Sequence, residues 1–357
     1  MTTPSHSFAE RLPADFERTA ELQAAIESVA AAMRICRAVQ TALVTEDTVT
    51  KKDRSPVTVA DFAAQAAVSL LLRDRFGNIP MVGEESADSL RTDEGAELAD
   101  QVTHHVAAAL RDSACPQSEA GPILDAIDAC NDEGGARGRR WVLDPIDGTK
   151  GYLRRGQYAV ALGLLEDGVP VLGVLGCPSM PRNVADDPSG GGDGCIFFAE
   201  RGAGAYQLDV TNEHEASSLF GDIARVSSTD LRDPADAVFC ESVEAAHSSH
   251  DRHQAIADVL GVTKPSFRID SQCKYGAVAR GQASIYLRLP TSDTYREKIW
   301  DHAAGWMVVT EAGGRVSDIH GKDLDFSIGR KLEDNRGVVA TNGHLHDAVI
   351  AAIAETA

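Results

Sequence analysis

A short apolar run, Trp141-Val142-Leu143, meets Asp144-Pro145 and then Ile146-Asp147-Gly148-Thr149. The run reads as a buried strand stopped at the proline, which fixes the turn so that both carboxylates aim at one point beyond the strand end. Hard dications take several oxygen ligands, and magnesium commonly uses one or two carboxylates together with waters and substrate phosphate. An Asp-x-x-Asp pair can bridge two such ions, with the Ile146 carbonyl as a further oxygen. A single Asp in such a place is more often a turn or a helix cap. Two acids, a turn glycine and a threonine in one string make that plainer reading weak.

Further candidates gather around this string. Gly148 and Thr149 open a segment whose backbone N–H groups can face a phosphate, as helix starts do. On residue type alone Thr149 is equally a cap or a contact to attacking water. Glu84 follows a strand and a glycine, where a carboxylate is held at an element's end. Asp301 stands between Trp300 and His302 at the start of an apolar helix, where an acid also complements the helix dipole. Asp61 occupies the third position of a capping box begun by Thr58, yet a carboxylate there can still polarise a hydroxyl such as that of Thr149.

The periodicity along the chain predicts an α/β architecture. Leu22, Ile26, Val29, Met33, Cys36, Val39 and Leu43 line one face of a long helix from about Ala14. A second helix follows Ser55-Pro56-Val57 and stops near Gly77-Asn78, and Ile79 to Val82 reads as a strand. Residues 87–140 read as two surface helices and a loop that covers the mouth of the site. Tyr158 to Leu165 and Val169 to Leu175 form a hairpin around Glu166-Asp167-Gly168, and Cys195 to Ala199 and Gly204 to Leu208 extend the antiparallel sheet. Beyond about residue 222 strands alternate with helices, so residues 1–222 and 223–357 read as two units with the site between packed α/β layers.

Composition narrows the partners. A net charge of −20 over 357 residues repels nucleic acid, and no basic stripe overcomes it. No apolar run approaches the ~20 residues of a membrane span, and the N-terminus has no basic start followed by an apolar core. Seven cysteines without a CxxC pair fit reduced thiols, and a cytoplasmic location is expected.

Taken together, SPVTVADFAAQ, VGEES, WVLDPIDGTKGY, KIWDHAAG and EAGGRVSD resemble the lithium-sensitive, magnesium-dependent phosphatases that include inositol monophosphatase and fructose-1,6-bisphosphatase. Within them, SPVTVAD, GTKGYLR, ESVEAAHSSH, DSQCKYG and YLRLP are most similar to the 3′(2′),5′-bisphosphate nucleotidases. The resemblance implies a layered αβαβα sandwich. It implies hydrolysis of the 3′-phosphate of 3′-phosphoadenosine 5′-phosphate by metal-activated water, and of the corresponding phosphosulfate in some members. It also implies two or three magnesium ions, inhibition by lithium, and a monomer or weak dimer.

Carried over residue by residue, Glu84, Asp144, Asp147, Asp301 and the Ile146 carbonyl match the magnesium ligands. Asp61 and Thr149 match the pair that activates water, and His247, Ser271, Lys274 and Arg288 match nucleotide-holding positions, with Lys274 and Arg288 on the 5′-phosphate. An inositol phosphate phosphatase of the same fold is the nearest alternative, and a non-catalytic nucleotide sensor a remote one.

Overall fold

The computed structural model describes residues 11–13, 15–44, 55–111, 113, 115–187, 189, 191–210, 220–243, 250–290 and 292–356. His247 lies outside the described residues. Among them no helix is long and apolar enough to cross a membrane.

Helix α1 spans Thr19–Leu43 and buries the expected Leu22, Ile26, Val29, Met33, Cys36 and Val39. It starts at Thr19 rather than near Ala14, because the buried Glu200 carboxylate captures the backbone N–H groups of Glu17 and Arg18 just before it. Helix α2 spans Ser55–Phe76 and ends at Gly77, whose φ of +66° closes it. Thr58 and Asp61 therefore lie inside α2 and form no capping box at its start. Pro56 in the first turn accounts for the difference, since it needs no hydrogen-bonded N–H there.

Seven strands form one sheet in chain order: β1 (Met81–Gly83), β2 (Arg139–Asp147), β3 (Ala159–Glu166), β4 (Val169–Cys177), β5 (Cys195–Glu200), β6 (Gly204–Val210) and β7 (Phe220–Val226). β1 runs parallel to β2, and every later neighbour is antiparallel. The strand through Trp141 does not stop at Pro145. It continues to Asp147, with the register against β3 shifting between Asp144 and Asp147. Proline cannot donate to the ladder, and a bulge absorbs it.

A second sheet has the order β11 (Arg315–Ser317), β12 (Val338–Thr341), β10 (Ile285–Arg288), β8 (Phe239–Glu241), β9 (Phe267–Arg268). Four helices flank it: α6 (His250–Leu260), α7 (Cys273–Ala279), α8 (Ala303–Glu311) and α9 (His346–Glu355). Period-two alternation sorts the side chains into layers. In β5, Ile196 and Phe198 join the core under α1 and α2, whereas Cys195, Phe197 and Ala199 join the core shared with α7 and α8. In β12, Val338 and Ala340 face that inner core, and Val339 joins Ile256, Val349 and Ile353 from α6 and α9. The result is the expected αβαβα sandwich: helix pair, large sheet, α7 with α8, small sheet, helix pair. Gly305 shows how tight the middle layer is, since a Cβ there would meet the Tyr275 ring at 2.1 Å.

One buried histidine ties β11 and β12 to α9. His346 Nε2 lies 2.7 Å from Ser317 Oγ, and its Nδ1 lies 3.1 Å from Thr341 Oγ1. Burial, then the charge of Arg315, pushes its pKa down to about 4. An unfolded histidine protonates near pH 6.5, so the stability tied to neutral His346 is complete above that pH and lost as the pH falls toward 4. This residue is expected to contribute a loss of roughly 3 kcal/mol across that window. Denaturant titrations of His346→Asn should show a correspondingly shallower pH dependence, and equal slopes for the two proteins would contradict it.

Candidate active site

The end of β2, strand β10, helix α7 and the turn before α8 enclose a cavity of about 340 Å³. Glu84, Asp144, Ile146, Asp147, Gly148, Thr149, Ser271, Lys274, Arg288 and Asp301 all line it. Asp61 does not. It is buried on α2, where burial and then the charges of Glu85 and Glu84 push its carboxyl well above the usual range. Ser242, Asp270 and Lys150 also line the cavity and were not singled out by the sequence.

None of the described residues among 87–140 lines the cavity. Helices α3 (Ala96–Leu110) and α4 (Ala120–Asp128) instead bury Val102, Val106, Leu110, Ile123 and Ile127 in the core shared with α2. Their amphipathic patterns demand a buried face, and α2, apolar nearly all round, supplies it.

Glu84 is aimed by its neighbours. The Gln65 side chain on α2 accepts from the Glu85 N–H at 3.0 Å and donates to the Glu85 carbonyl at 2.8 Å. A Cβ on Gly83 would come within 2.6 Å of Gln65 Oε1 and 2.7 Å of Cys130 Cβ, so this position of GEES has room only for glycine. On the other side, Asp147 Oδ2 accepts the Gln272 backbone N–H at 2.6 Å. Gly148 turns the chain at φ +91°, where an added Cβ would meet Ser271 Cβ at 2.8 Å. Ser271 is itself left-handed at φ +68°, and its Oγ accepts from the Cys273 N–H at 3.2 Å.

Positive charge is placed beside the acids. Arg288 reaches Glu297 at 2.8 Å and Asp301 at 3.1 Å. Burial lowers the guanidinium's pKa, but Asp301 and Glu297 outweigh it and keep it firmly protonated. Lys274 is buried, donates to the Ile269 carbonyl at 3.4 Å, and has its pKa lowered by burial, partly offset by Asp147.

The acids repel one another. Burial raises Glu84, and Asp301, Glu85 and Asp147 raise it further. Burial, then Glu84, Asp147 and Asp301, raises Asp144 well above the carboxylate range. Asp147 is also raised by burial and Asp301, with Lys274 and Arg288 opposing. Asp144 Oδ1 is buried with no hydrogen-bond partner among the described residues. An unpartnered acceptor amid repelling carboxylates fits a cation, and an all-oxygen donor set fits a hard one. Glu297, Asp301 and His302 bring ligand atoms within 4.8 Å of one another, a second set fit for a divalent metal. Arg288 already meets Glu297 and Asp301, so the greater unmet negative charge lies on Glu84, Asp144 and Asp147.

The family model described as the inositol monophosphatase family matches residues 17–357. A 3′(2′),5′-bisphosphate nucleotidase of Emericella nidulans is 47% identical over 326 residues, covering 86% of this chain and 90% of its own. That of Oryza sativa is 46% identical over 345 residues, covering 94% and 93%. The fold matches an inositol monophosphatase from Zymomonas mobilis at a TM-score of 0.60 and 17% identity, covering 95% of this chain and 99% of that one. It matches Mycobacterium tuberculosis SuhB at 0.57 and 20% identity, covering 96% and 98%. The chain belongs to the inositol monophosphatase family and, within it, to the 3′(2′),5′-bisphosphate nucleotidases.

Proposed function

We propose that the chain hydrolyses the 3′-phosphate of 3′-phosphoadenosine 5′-phosphate to AMP and phosphate. Its extensive identity to bisphosphate nucleotidases, joined to a cavity that sets Lys274 and Arg288 beside four carboxylates, carries this reading. Glu84, Asp144, Asp147, Asp301 and the Ile146 carbonyl would hold two or three magnesium ions, with lithium as the expected inhibitor. When bound, magnesium supplies Lewis acidity toward water and charge neutralisation toward the phosphate.

The chain's own groups do the positioning. Thr149, at the start of α5 (Thr149–Leu153), orients the attacking water, with the buried Asp61 polarising the hydroxyl. The water oxygen bonds to phosphorus as the bond to the 3′-oxygen breaks in line. The proton given up by the water is balanced by one taken up at the departing 3′-oxygen, which leaves as the ribose hydroxyl. Backbone N–H groups of Gly148 and Thr149 face the phosphate oxygens. Ser271 and His247 hold the nucleoside, and Lys274 and Arg288 attract the 5′-phosphate, giving an acidic protein a local anion site.

An inositol phosphate phosphatase on the same fold needs no 5′-phosphate site, which separates the two readings. Lys274→Met should raise KM for the bisphosphate nucleotide at least about tenfold, the worth of a lost charged hydrogen bond. KM for inositol 1-phosphate should barely move. Steady-state kinetics on both substrates checks this, and equal effects would discard the nucleotide assignment.

A further inference from the structure

Asp301 reaches the cavity on the turn into α8, whereas Glu84 and Asp147 reach it from β1 and β2. These segments are distant in the sequence, so their mutual spacing depends on non-covalent contacts. The contacts converge on Trp300, the residue before Asp301. Its carbonyl accepts from Gln272 Nε2 at 3.0 Å, and Gln272 Oε1 accepts from the Gly305 N–H at 3.3 Å. One buried amide thus spans the turn from the residue before Asp301 into α8. The backbone N–H of this same glutamine is the one bonded to Asp147 Oδ2.

Arg330 grips Trp300 from elsewhere in the chain. Its guanidinium carbon lies 4.9 Å from the Trp300 ring centroid. The same guanidinium donates to the Gly83 carbonyl, immediately before Glu84, and to the Asp132 carbonyl at 2.9 Å. Its own carbonyl accepts the Ile299 N–H at 3.2 Å, so backbone and side chain both tie Arg330 to the Asp301 turn.

The geometry points to Gln272 and Arg330 as positioning residues that register the Asp301 turn against the strand ends carrying Asp147 and Glu84, and thereby set the site's affinity for divalent cation. This rests on the carboxylate site proposed above as the metal site. Magnesium demands near-ideal octahedral geometry, so a small displacement of one carboxylate weakens binding. Groups that orient ligands without touching the metal commonly change affinity by 10- to 100-fold. Arginine is suited to the place because its fork can donate to two carbonyls while its flat face lies on an indole.

The test is Mn2+ binding to the metal-free full chain, followed by electron paramagnetic resonance of the free ion. Gln272→Met, Arg330→Met and Arg330→Lys are compared with Glu311→Gln. Glu311 instead accepts the Gly202 and Gly204 N–H groups at 3.0 Å each. It reports on general loss of stability. The Mn2+ dissociation constant should rise about 10- to 100-fold in Gln272→Met and Arg330→Met, and stay at the wild-type value in Glu311→Gln. Arg330→Lys should behave like Arg330→Met, because an ammonium cannot reproduce the fork. KM for the nucleotide at saturating Mg2+ should stay within about twofold, separating positioning of metal ligands from substrate contact.

Wild-type Mn2+ affinity in folded variants would overturn the proposal, as would a loss matched by the control at equal loss of stability. If Arg330→Met does not fold, Gln272→Met decides. A wild-type chain that binds Mn2+ but leaves the bisphosphate nucleotide intact would overturn the functional reading, while the variant affinities would still judge the clamp.

Discussion

Replacing Asp144 with asparagine is expected to lower kcat at least about a thousandfold while leaving the metal-free protein as stable as wild type, or more so. The two outcomes have one cause. Asp144 is buried, its Oδ1 has no hydrogen-bond partner among the described residues, and burial with Glu84, Asp147 and Asp301 raises its pKa well above 3.8. A carboxyl whose pKa is raised on folding favours the fold at low pH, and that contribution is lost as the pH rises through the folded value. At neutral pH the ionised group therefore costs stability unless a cation compensates it. Asparagine removes the cost and, with it, an anionic ligand proposed for the metal. Turnover with Mg2+ and thermal unfolding in chelator together check the prediction. A variant that keeps activity, or one that unfolds readily in chelator, would contradict it.

The second large effect concerns Asp61 and Thr149. Asp61→Asn and Thr149→Val are each expected to reduce kcat about a hundredfold, the usual worth of a positioned proton-transfer group. The double variant should fall no more than about threefold below the singles, because residues acting as one unit are not additive. Thr149 lines the cavity and Asp61 does not, so Asp61 has to act through another group rather than on substrate. KM should be nearly unchanged in all three variants. Steady-state kinetics on them decides the point, for multiplied losses in the double variant would mean two independent roles.

Much of the candidate site was legible because its carboxylates stand in short strings beside apolar runs, glycines or turns. Asp144 and Asp147 follow an unmistakable apolar run, and Glu84 and Asp301 each sit at a boundary between strand or turn and the next element. Helix α1 and the hairpin of β3 and β4 carried clear periodicities. Pro145 misled, since a proline that usually ends a strand is absorbed here by a bulge. Thr58 and Asp61 misled too, because a capping pattern inside a helix looks the same as one at its start. Strand β7 went unseen because Asp222 and Arg225 interrupt its apolar run at an edge of the sheet.

What stayed hidden was the support behind the acids. Gln65, Gln272 and Arg330 act through backbone atoms of distant residues, and a glutamine or arginine carries no local mark of such a partner. The glycine before Glu84 was visible, but its close fit against Gln65 was not. The five layers themselves follow from alternation in β5 and β12, but the strand order of the small sheet depends on pairings between distant segments.

The most direct test is phosphate release with Mg2+ from 3′-phosphoadenosine 5′-phosphate, AMP and inositol 1-phosphate, measured side by side. Strong preference for the first, with AMP accumulating undegraded, is the expected result. Preference for inositol 1-phosphate would leave the fold and the carboxylate site standing and contradict the assignment of Lys274 and Arg288 to a nucleotide's 5′-phosphate.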